Sequence, residues 1–367
     1  MSKESFIGKI ASQFALDGVF VGEVEIHSGH INATYIGSFK KEYGEVERYI
    51  FQRINGYVFK DPLAVMENVA RVTEHIRKKA QSEGQVLSLY PAKDGKLYVA
   101  EDDGGLWRCY NFIEGCITHD VVENTDQAYQ AARAFGTFQD LVSDISMDEI
   151  KETILDFHHT PKRYQRLMEV AEEDSHGRVD SVRSELDFIK QRQAMVSKLR
   201  GLMLAGDIPE RVTHNDTKIN NVMMDEDSDE AVCVIDLDTV MPGLSLYDFG
   251  DLVRTAVSPA AEDEQDLQKV QVRMPIFEAL AKGYMGACSC LCEAEIENLV
   301  FSGKLISLEV AIRFLTDYLE GDVYFKTHHE GHNLERARTQ LKLVEQIEVH
   351  EPEMEQVVSK LAKSVRA

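Results

Sequence analysis

The sequence predicts a bilobal α+β protein, in which a small antiparallel β lobe carrying one helix precedes a larger, mainly helical lobe with an embedded β-hairpin. Three observations lead to this prediction. Short runs rich in β-branched and aromatic residues are confined to residues 21–110, and helical spacing of apolar residues dominates after Gly115. A second pair of β runs interrupts the helical part between residues 211 and 237. A chain of 367 residues is long enough for two such domains.

The first lobe is defined by β-rich runs that turn residues separate. The segment Asp102-Asp103-Gly104-Gly105 predicts a hairpin turn between two of them. Asp61 as N-cap and Pro62 in the first turn open a helix that reaches Lys79, with apolar residues at three- and four-residue intervals. The predicted strands are residues 34–39, 48–54, 96–100 and 106–112.

The second lobe is predicted to be a set of core-facing helices, because apolar residues recur every three or four positions. Within it, an acidic turn at residues 225–230 separates two β runs, 221–224 and 231–237. The predicted lobes are residues 1–112 and 113–367, with a hinge at about 110–115. The predicted helices are residues 126–142, 182–204, 266–284 and 304–319.

The charge of the chain excludes two classes of partner. Its 63 acidic residues against 40 Lys and Arg give a formal charge of -23, which repels phosphate backbones and anionic membranes. The first 13 residues contain no continuous apolar segment of a secretory signal, and no run of about 18 apolar residues predicts a membrane span. We therefore expect a cytoplasmic protein that binds neither nucleic acid nor membranes. Its oligomeric state stays open, a monomer included.

Two tracts are similar to metal sites but are interpreted otherwise. Cys288, Cys290 and Cys292 lack the CxxC spacing of zinc ligands, and they lie in a stretch, 276–299, that is predicted to be helical. The tract His328-His329-Glu330-Gly331-His332 is one residue short of HExxH. Neither tract predicts a metal centre.

The most informative motif is H-x-D-x-K-x-x-N at residues 214–221. In kinase-type phosphoryl transfer a carboxylate accepts the proton of the acceptor hydroxyl, and an amide oxygen a few residues later holds Mg²⁺ on the phosphates. Asp216 and Asn221 have that separation, and Lys218 can reach the transferring phosphoryl group. The alternative interpretation of the motif is a polar turn before a strand.

A second acidic motif follows at the end of the 231–237 run. Val232 and Val234, two residues apart, share one face of the predicted strand, and Asp236 and Asp238 follow on the same face. Asp236 lies 20 residues after Asp216, at the far arm of the predicted hairpin, where a kinase needs its second metal ligand. We therefore predict that Asp236 binds the metal.

The tripeptide Asp248-Phe249-Gly250 spells the DFG motif of protein kinases. It follows a loop instead of a β-strand, so we do not assign the metal to it. Asp248 and Asp251 are instead predicted to be structural, capping a helix that begins near Asp251 and bracing the catalytic loop.

Taken together, these motifs resemble the aminoglycoside phosphotransferase and choline kinase superfamily, which has a protein-kinase-like fold, and within it most closely the bacterial N-acetylhexosamine 1-kinases. The similarity covers almost the whole chain. The catalytic loop alone indicates only the superfamily, whereas residues 313–325 are much more specific. The segments that carry the resemblance are residues 29–35, 213–221, 235–239 with 241–243, 248–251, 313–325 and 332–334.

The resemblance implies an ATP- and Mg²⁺-dependent kinase that phosphorylates the anomeric hydroxyl of N-acetylglucosamine or N-acetylgalactosamine. Asp216 would be the catalytic base, and Asp236 and Asn221 the metal ligands. The sugar-binding positions of the family match His30, Arg313 and Tyr324. Donors and a flat apolar surface suit a neutral hexosamide. Without the resemblance these three residues would be interpreted as a loop tip, a helix-surface ion-pair partner and a core aromatic.

The nucleotide side of the predicted site departs from the usual kinase pattern. The loop with Gly29 and Asn32 has a single glycine, although it lies between two predicted strands where backbone N–H groups can cap phosphates. The strand that usually supplies a lysine offers Gln52 instead, and Arg53 alternates to the opposite face. Lys218 is then expected to carry more of the phosphate charge. Backbone groups of the lobe 1–112, which would bind the nucleotide, are expected to meet adenine at the hinge residues Asn111, Phe112 and Ile113.

Two other functions remain open at this stage. The acidic charge would suit a kinase for an aminoglycoside, choline or another amino alcohol, but no cluster of acids or aromatic cage for a cation is evident. The missing lysine would suit a non-catalytic nucleotide-binding module, but the predicted base, metal ligands and Lys218 are all retained. A protein kinase is disfavoured because no activation segment follows Asp236.

Overall fold

A computed structural model describes residues 5–27, 31–79 and 86–365 of the chain. The chain divides into two compact units. Unit 1 consists of residues 1–116, 144–155 and 232–241, and unit 2 of residues 117–143, 156–231 and 242–367. The predicted α+β class is confirmed, because unit 1 holds a five-stranded antiparallel sheet and most of unit 2 is helical.

The sheet of unit 1 has the strand order β1-β2-β3-β5-β4. The predicted strands are present, although the run at 96–100 contributes only two residues. A short helix, α1 (Phe6–Ala11), was not predicted, whereas α2 has the predicted bounds, Pro62–Lys79. The strands are β1 (Val19–Ile26), β2 (Ala33–Lys40), β3 (Val46–Arg53), β4 (Val99–Ala100) and β5 (Leu106–Asn111).

Local signals in the sequence explain these elements. Asp61 caps α2 as predicted, its carboxylate accepting the backbone N–H of Ala64 at 3.0 Å. The β4–β5 turn closes through Gly104, whose φ of 82° suits glycine, and Glu101 N donates to Gly105 O at 2.8 Å. Phe51 is fully buried against the aromatic core of the sheet.

A buried side chain on α2 connects the three chain segments of unit 1. Asn68 is 1% exposed, and its amide nitrogen donates to the carbonyls of Lys151 at 2.7 Å and Val240 at 3.0 Å. Its amide oxygen accepts the N–H of Lys151 at 2.9 Å. These bonds explain why residues 144–155 and 232–241 belong to the same unit as the sheet.

Unit 2 is built from helices that pack closely through glycines. A Cβ at Gly136 of α3 would lie 2.6 Å from the carbonyl oxygen of Tyr284 on α8, so only glycine permits this approach. Within the described ranges, no helix is both long and apolar enough to cross a membrane. The helices are α3 (Thr125–Val142), α4 (Thr160–Glu173), α5 (Arg183–Gln191), α6 (Lys198–Ala205), α7 (Ser245–Ala256), α8 (Met274–Ala287), α9 (Glu293–Glu297), α10 (Leu299–Leu319) and α11 (His332–Val365).

Several helix predictions need correction. The predicted helix 182–204 is broken into α5 and α6, and the predicted helix 266–284 begins only at Met274, next to Pro275. The cysteines 288, 290 and 292 lie between α8 and α9 and not within a helix. Helices α4 and α11 were not predicted.

The later β segments are short. Around the acidic turn, Asp225 N donates to Glu230 O at 2.9 Å, as expected of a hairpin end. Strand β9 ends at Val234, three residues earlier than predicted, and its buried residue is Cys233 instead of Val232 or Val234. These strands are β6 (Cys116–Ile117), β7 (Arg211–Thr213), β8 (Val222–Asp225), β9 (Ala231–Val234) and β10 (Met241–Gly243).

Candidate active site

The H-x-D-x-K-x-x-N motif forms a rigid loop in unit 2. Strand β7 leads into it, and a single 3-10 turn, Ile219–Asn221, ends it. Asn215 has a φ of 65°, a left-handed conformation that asparagine tolerates better than most residues. Its side chain accepts the hydroxyl of Thr213 at 3.0 Å. A Cβ at Gly243 would collide with that hydroxyl, so the loop requires glycine there.

Asp248 braces this loop, as predicted. One carboxylate oxygen accepts the N–H of His214 at 2.9 Å and the other accepts the N–H of Asn215 at 2.7 Å. The hydroxyl of Thr217 donates to the carbonyl of Asp248 at 2.5 Å. Asp248 is 1% exposed, so these bonds are shielded from water and hold the backbone on both sides of Asp216.

Packing accounts for the rest of the DFG tripeptide. It lies inside α7, which begins at Ser245, so the predicted helix start near Asp251 is wrong. Phe249 is fully buried against Phe277 and Tyr284. A Cβ at Gly250 would lie 2.6 Å from the carbonyl oxygen of Ser302, so glycine lets α7 pack directly on α10.

Asp216 and Lys218 form an ion pair at the partly exposed surface of the loop. Their Oδ1 and Nζ atoms lie 3.0 Å apart, and the Asp216 side chain is 23% exposed. Burial works against the carboxylate, but Lys218, His214 and Arg254 outweigh it and hold the pKa of Asp216 below its ordinary value. Asp216 is therefore a carboxylate at neutral pH, ready to accept a hydrogen bond from a hydroxyl group.

Asn221 fits the role of a ligand for a hard cation. Its amide nitrogen donates to the backbone oxygen of Asp216 at 2.8 Å and to the carboxylate at 3.1 Å. These bonds orient the amide and leave its oxygen as an acceptor, the atom type that Mg²⁺ prefers. Among the described residues, no three His, Cys, Asp or Glu side chains form a metal site. Kinase metals need fewer protein ligands, because the substrate phosphates supply the others.

The sequence analysis missed a buried cation near the loop. Arg254 is paired with Asp251 at 2.7 Å and with Glu262 at 3.1 Å, and its charge helps to lower the pKa of Asp216. Asp251 and Arg254 are three residues apart on α7, a spacing that brings side chains together on a helix. A predicted helix with the observed bounds of α7 would have placed Asp251 and Arg254 on one face.

The burial of Asp248 predicts a pH dependence of stability. Burial raises its pKa to about 6, against the opposing effects of His214 and the two N–H donors. The pKa of an aspartate in an unfolded chain is about 3.9. Between about pH 4 and pH 6 the folded state therefore binds more protons at this position than the unfolded state. The free energy of unfolding of the wild type should therefore fall, relative to Asp248→Asn, as the pH rises through this window. Paired melting curves measure it, and a difference that does not change with pH would contradict the prediction.

The predicted sugar-binding residues Arg313 and Tyr324 lie in unit 2. Arg313 is on α10, with its guanidinium carbon 5.1 Å from the ring centre of Phe157 and 5.5 Å from that of Phe325. Tyr324 is 51% exposed, and its ring contacts Phe325. The interpretations of Arg313 as an ion-pair partner and Tyr324 as a core aromatic do not fit these surroundings. His30 and Gly29 lie outside the described residues.

Asp317, which is 2% exposed, shapes the loop that carries Tyr324. One of its carboxylate oxygens accepts the N–H groups of Val323 at 2.9 Å and Tyr324 at 2.7 Å, and the other accepts that of Phe325 at 2.9 Å. Asn333 donates to the same carboxylate at 2.8 Å. The predicted segment 313–325 is thus a helix end and a loop that one buried carboxylate organises.

His158 connects the catalytic loop to the helix that carries Arg313. One ring nitrogen lies 3.3 Å from the carbonyl oxygen of Asn215, the residue before Asp216. The other lies 2.7 Å from Glu309, one turn before Arg313 on α10. His158 is buried, so this connection is shielded from solvent. No sequence motif marked His158, because its partners are 57 and 151 residues away.

In unit 1, a buried arginine on β5 lies beside Gln52, the position at which β3 lacks the usual lysine. Gln52 and Arg108 are register partners, and Gln52 Oε1 accepts from Arg108 Nε at 3.1 Å and Nη2 at 2.8 Å. Arg108 also forms a fully buried ion pair with Asp238. Although burial opposes its charge, Asp238 raises the pKa of Arg108 above the ordinary value. Arg53 has other partners, Glu101 and Asp103.

The two acids after β9 have different environments. Asp236 has a φ of 59°, and residues 237–239 form a 3-10 turn, so the predicted strand alternation through Asp236 and Asp238 is wrong. Asp238 is 2% exposed and accepts from Asn32 at 2.7 Å as well as from Arg108. Asn32, predicted to bind phosphate, therefore has a structural partner here. Asp238 is neutralised, whereas Asp236 is half-buried and stays the candidate metal ligand.

The predicted adenine contacts lie at the end of β5 and beyond it. The side chain of Asn111 is engaged with the backbone of residues 86–88, accepting from Ser88 N at 2.7 Å. Phe112 has the guanidinium of Arg48 over its ring at 4.0 Å, and Ile113 is buried. Only the backbone of these residues is thus suited to recognise a base.

The buried pair Arg108–Asp238 predicts a large effect on stability. We expect Arg108→Met to lower the free energy of unfolding by about 3–5 kcal/mol, because Asp238 would stay buried without its charged partner. The double variant Arg108→Met with Asp238→Asn should recover most of this loss, since both charges are then removed. Urea denaturation measures the effect, and a single variant as stable as the wild type would contradict it.

Residues 24–279, well over half of the chain, match the phosphotransferase enzyme family. The chain therefore belongs to the phosphotransferase enzyme family.

Solved structures of kinases share the fold. A microcompartment-associated aminopropanol kinase is 17% identical with a TM-score of 0.64, over 94% of this chain and 97% of that chain. Amicoumacin kinase, solved with AMP-PNP, Ca²⁺ and Ami, is 15% identical with a TM-score of 0.58, over 94% of each chain. Choline kinase from Cryptosporidium parvum is 15% identical with a TM-score of 0.53, over 98% of this chain and 99% of that chain.

These comparisons confirm the predicted protein-kinase-like fold and place the chain in the phosphotransferase enzyme family. At such low identity the neighbours show the fold alone, so the acceptor must be argued from this chain's own residues. The narrower resemblance to N-acetylhexosamine 1-kinases stays a prediction.

Proposed function

We propose that this protein transfers the γ-phosphoryl group of ATP to the anomeric hydroxyl of an N-acetylhexosamine, N-acetylglucosamine or N-acetylgalactosamine. The observation that carries the proposal is the contact of His158 with both the loop before Asp216 and the helix of Arg313. It connects the proposed base to the proposed sugar-binding arginine within one unit. A dependence on ATP is the reason to expect the enzyme in the cytoplasm.

Asp216 is proposed to accept the proton of the attacking hydroxyl. A carboxylate with a lowered pKa is a weak base, but an anomeric hydroxyl is more acidic than an ordinary alcohol, so positioning contributes more than base strength. The bonds from His214 and Asn215 to Asp248 supply that positioning. Lys218, beside Asp216, is proposed to offset charge on the transferring group.

The acceptor side supports a neutral ligand. Arg313 and Tyr324 offer donors and an aromatic surface. Glu309, the acid that feels the charge of Arg313, has its oxygens bonded to His158 and Thr160. The alternative, a kinase for an aminoglycoside, choline or another amino alcohol, has support from the net charge of -23 and from the fold of the aminopropanol kinase. A cation needs acids or an aromatic cage, but the single tryptophan, Trp107, is buried in the core of unit 1.

The residues proposed to bind the metal and the nucleotide carry ligand atoms of the appropriate type. Asn221 and Asp236 would each offer an oxygen to Mg²⁺, which when bound neutralises charge on the phosphates. Backbone groups at 111–113 are proposed to contact adenine. The loop with Gly29 and Asn32 is proposed to contact the phosphates. His30 is proposed as a further sugar contact.

An ADP-release assay with a panel of acceptors tests the proposal. The panel contains N-acetylglucosamine, N-acetylgalactosamine, kanamycin, choline and 1-amino-2-propanol. We expect turnover with the N-acetylhexosamines and a kcat/KM for the amines lower by at least about 100-fold. Turnover of an amine with none of either N-acetylhexosamine would overturn the proposed acceptor.

A further inference from the structure

A second arginine, Arg163, lies beside Arg313. Arg163 is on α4, which packs against α10. Both guanidinium groups approach Phe157, since Arg163 Nη2 donates to its carbonyl oxygen at 3.3 Å and Arg313 lies over its ring. Burial and then the like charge of Arg313 lower the pKa of Arg163 below its ordinary value. Two positive groups therefore share one partly buried surface.

Neither of these arginines has a carboxylate partner in the described part of the chain. Neighbouring arginines do, since Arg166 on the same helix pairs with Glu320 and Arg178 pairs with Asp322. Arg163 Nε is buried without any hydrogen-bond partner. A buried donor without a partner is unfavourable, so this N–H group is open to an acceptor atom of a ligand.

The nearest acids do not accept hydrogen bonds from the pair, because other residues engage their oxygens. Both carboxylate oxygens of Glu309 are used, by His158 at 2.7 Å and by Thr160 at 2.5 Å. Asp156 is bound to Lys162 at 2.7 Å. Their fields reach Arg163, but their oxygens are bonded elsewhere. The two guanidinium groups are thus left with unused donors.

We propose that Arg163 is a specificity-determining residue of the acceptor site, which together with Arg313 binds an uncharged carbonyl oxygen of the acceptor and excludes acceptors that carry an ammonium group. This inference rests on the proposed function, because Arg313 is its sugar-binding residue. A guanidinium presents several N–H donors, and two of them can converge on the two lone pairs of one carbonyl oxygen. An ammonium group beside two guanidinium groups is repelled. The pair would therefore favour an acceptor with a carbonyl group and also disfavour one with an ammonium group.

Three sugars separate the two effects. The three sugars differ only at carbon 2, where N-acetylglucosamine carries an acetamido group, glucose a hydroxyl and glucosamine an amine. Assay at pH 6.5 keeps the amine of glucosamine protonated as an ammonium group. The ratio of kcat/KM between N-acetylglucosamine and glucose reports carbonyl binding, and the ratio between glucose and glucosamine reports ammonium rejection. The variants are Arg163→Met, Arg163→Lys, and, as a matched control on the same helix, Arg166→Met.

We expect Arg163→Met to reduce both ratios by about tenfold or more, with the KM for ATP unchanged. Arg163→Lys should keep the rejection of glucosamine but lose the preference for the acetamido group, since the charge remains and the fork does not. Arg166→Met should match the wild type. Melting curves of each variant show whether it is folded. Ratios for Arg163→Met within about threefold of wild type would overturn the inference.

The outcomes also separate the inference from the proposed function. Turnover of N-acetylglucosamine with unchanged ratios in Arg163→Met overturns the inference alone. If no hexose is a substrate, calorimetric titration of the AMP-PNP complex with N-acetylglucosamine and 1-amino-2-propanol decides. Binding of the amide sugar that Arg163→Met weakens supports the inference while the proposed function fails. Preference for the amine, or no binding of either, overturns both.

Discussion

Asp216→Asn is expected to lower kcat by about 1,000-fold while the fold and ATP binding persist. The amide oxygen of asparagine can still accept from Lys218 or Asn221 in similar space, but the neutral amide cannot take up the proton of the acceptor hydroxyl. The loop should keep its conformation, because its bracing bonds come from Asp248 and not from Asp216. ADP release under saturating ATP and sugar measures the effect.

A matched control for this substitution is Asp227→Asn, on the exposed acidic turn after β8. It removes the same charge from the same unit and should leave kcat unchanged. Comparable, negligible ADP release from wild type and Asp216→Asn would support a non-catalytic nucleotide-binding module. Full activity of Asp216→Asn would show that another group is the base.

Asp236→Asn is expected to reduce Mg²⁺-dependent turnover by about 1,000-fold or more, corresponding to several kcal/mol of lost charge stabilisation. The fold should persist, because the buried acid of this segment is Asp238, whose partners Arg108 and Asn32 are untouched. The rate as a function of Mg²⁺ concentration measures the effect, and higher Mg²⁺ should recover part of it.

Asp248→Asn is the informative comparison for Asp236→Asn. Asp248 is occupied by backbone N–H groups, so its substitution should slow the reaction without changing the Mg²⁺ concentration that gives half-maximal rate. The opposite pattern, an active Asp236→Asn and an Asp248→Asn that needs far more Mg²⁺, would reverse the assignment of the metal ligand.

The sequence predicted those parts of the fold and site that depend on local pattern. The helix from Pro62 to Lys79 was correct because a cap, a proline and a regular apolar face all agree. The structural role of Asp248 was inferred from what precedes it along the chain. The bonds that its carboxylate accepts from His214 N and Asn215 N confirm this structural role.

The parts that could not be predicted depend on contacts between distant segments. Arg108 reaches the place of the missing lysine only because β5 pairs with β3 in one register. Alternation failed after Val234 because Asp236 adopts a left-handed conformation that no simple pattern signals. Arg163 was not predicted because it is one of several polar residues in the first half of α4, and only the packing of α4 on α10 places it beside Arg313.

The position of the new phosphate tests the central claim most directly. After incubation of the wild-type enzyme with ATP, Mg²⁺ and N-acetylglucosamine, ³¹P and ¹H NMR of the product should show phosphorus coupled to the anomeric proton. Coupling to the protons of carbon 6, or a phosphate on an amino alcohol from a mixture of both acceptors, would contradict the account.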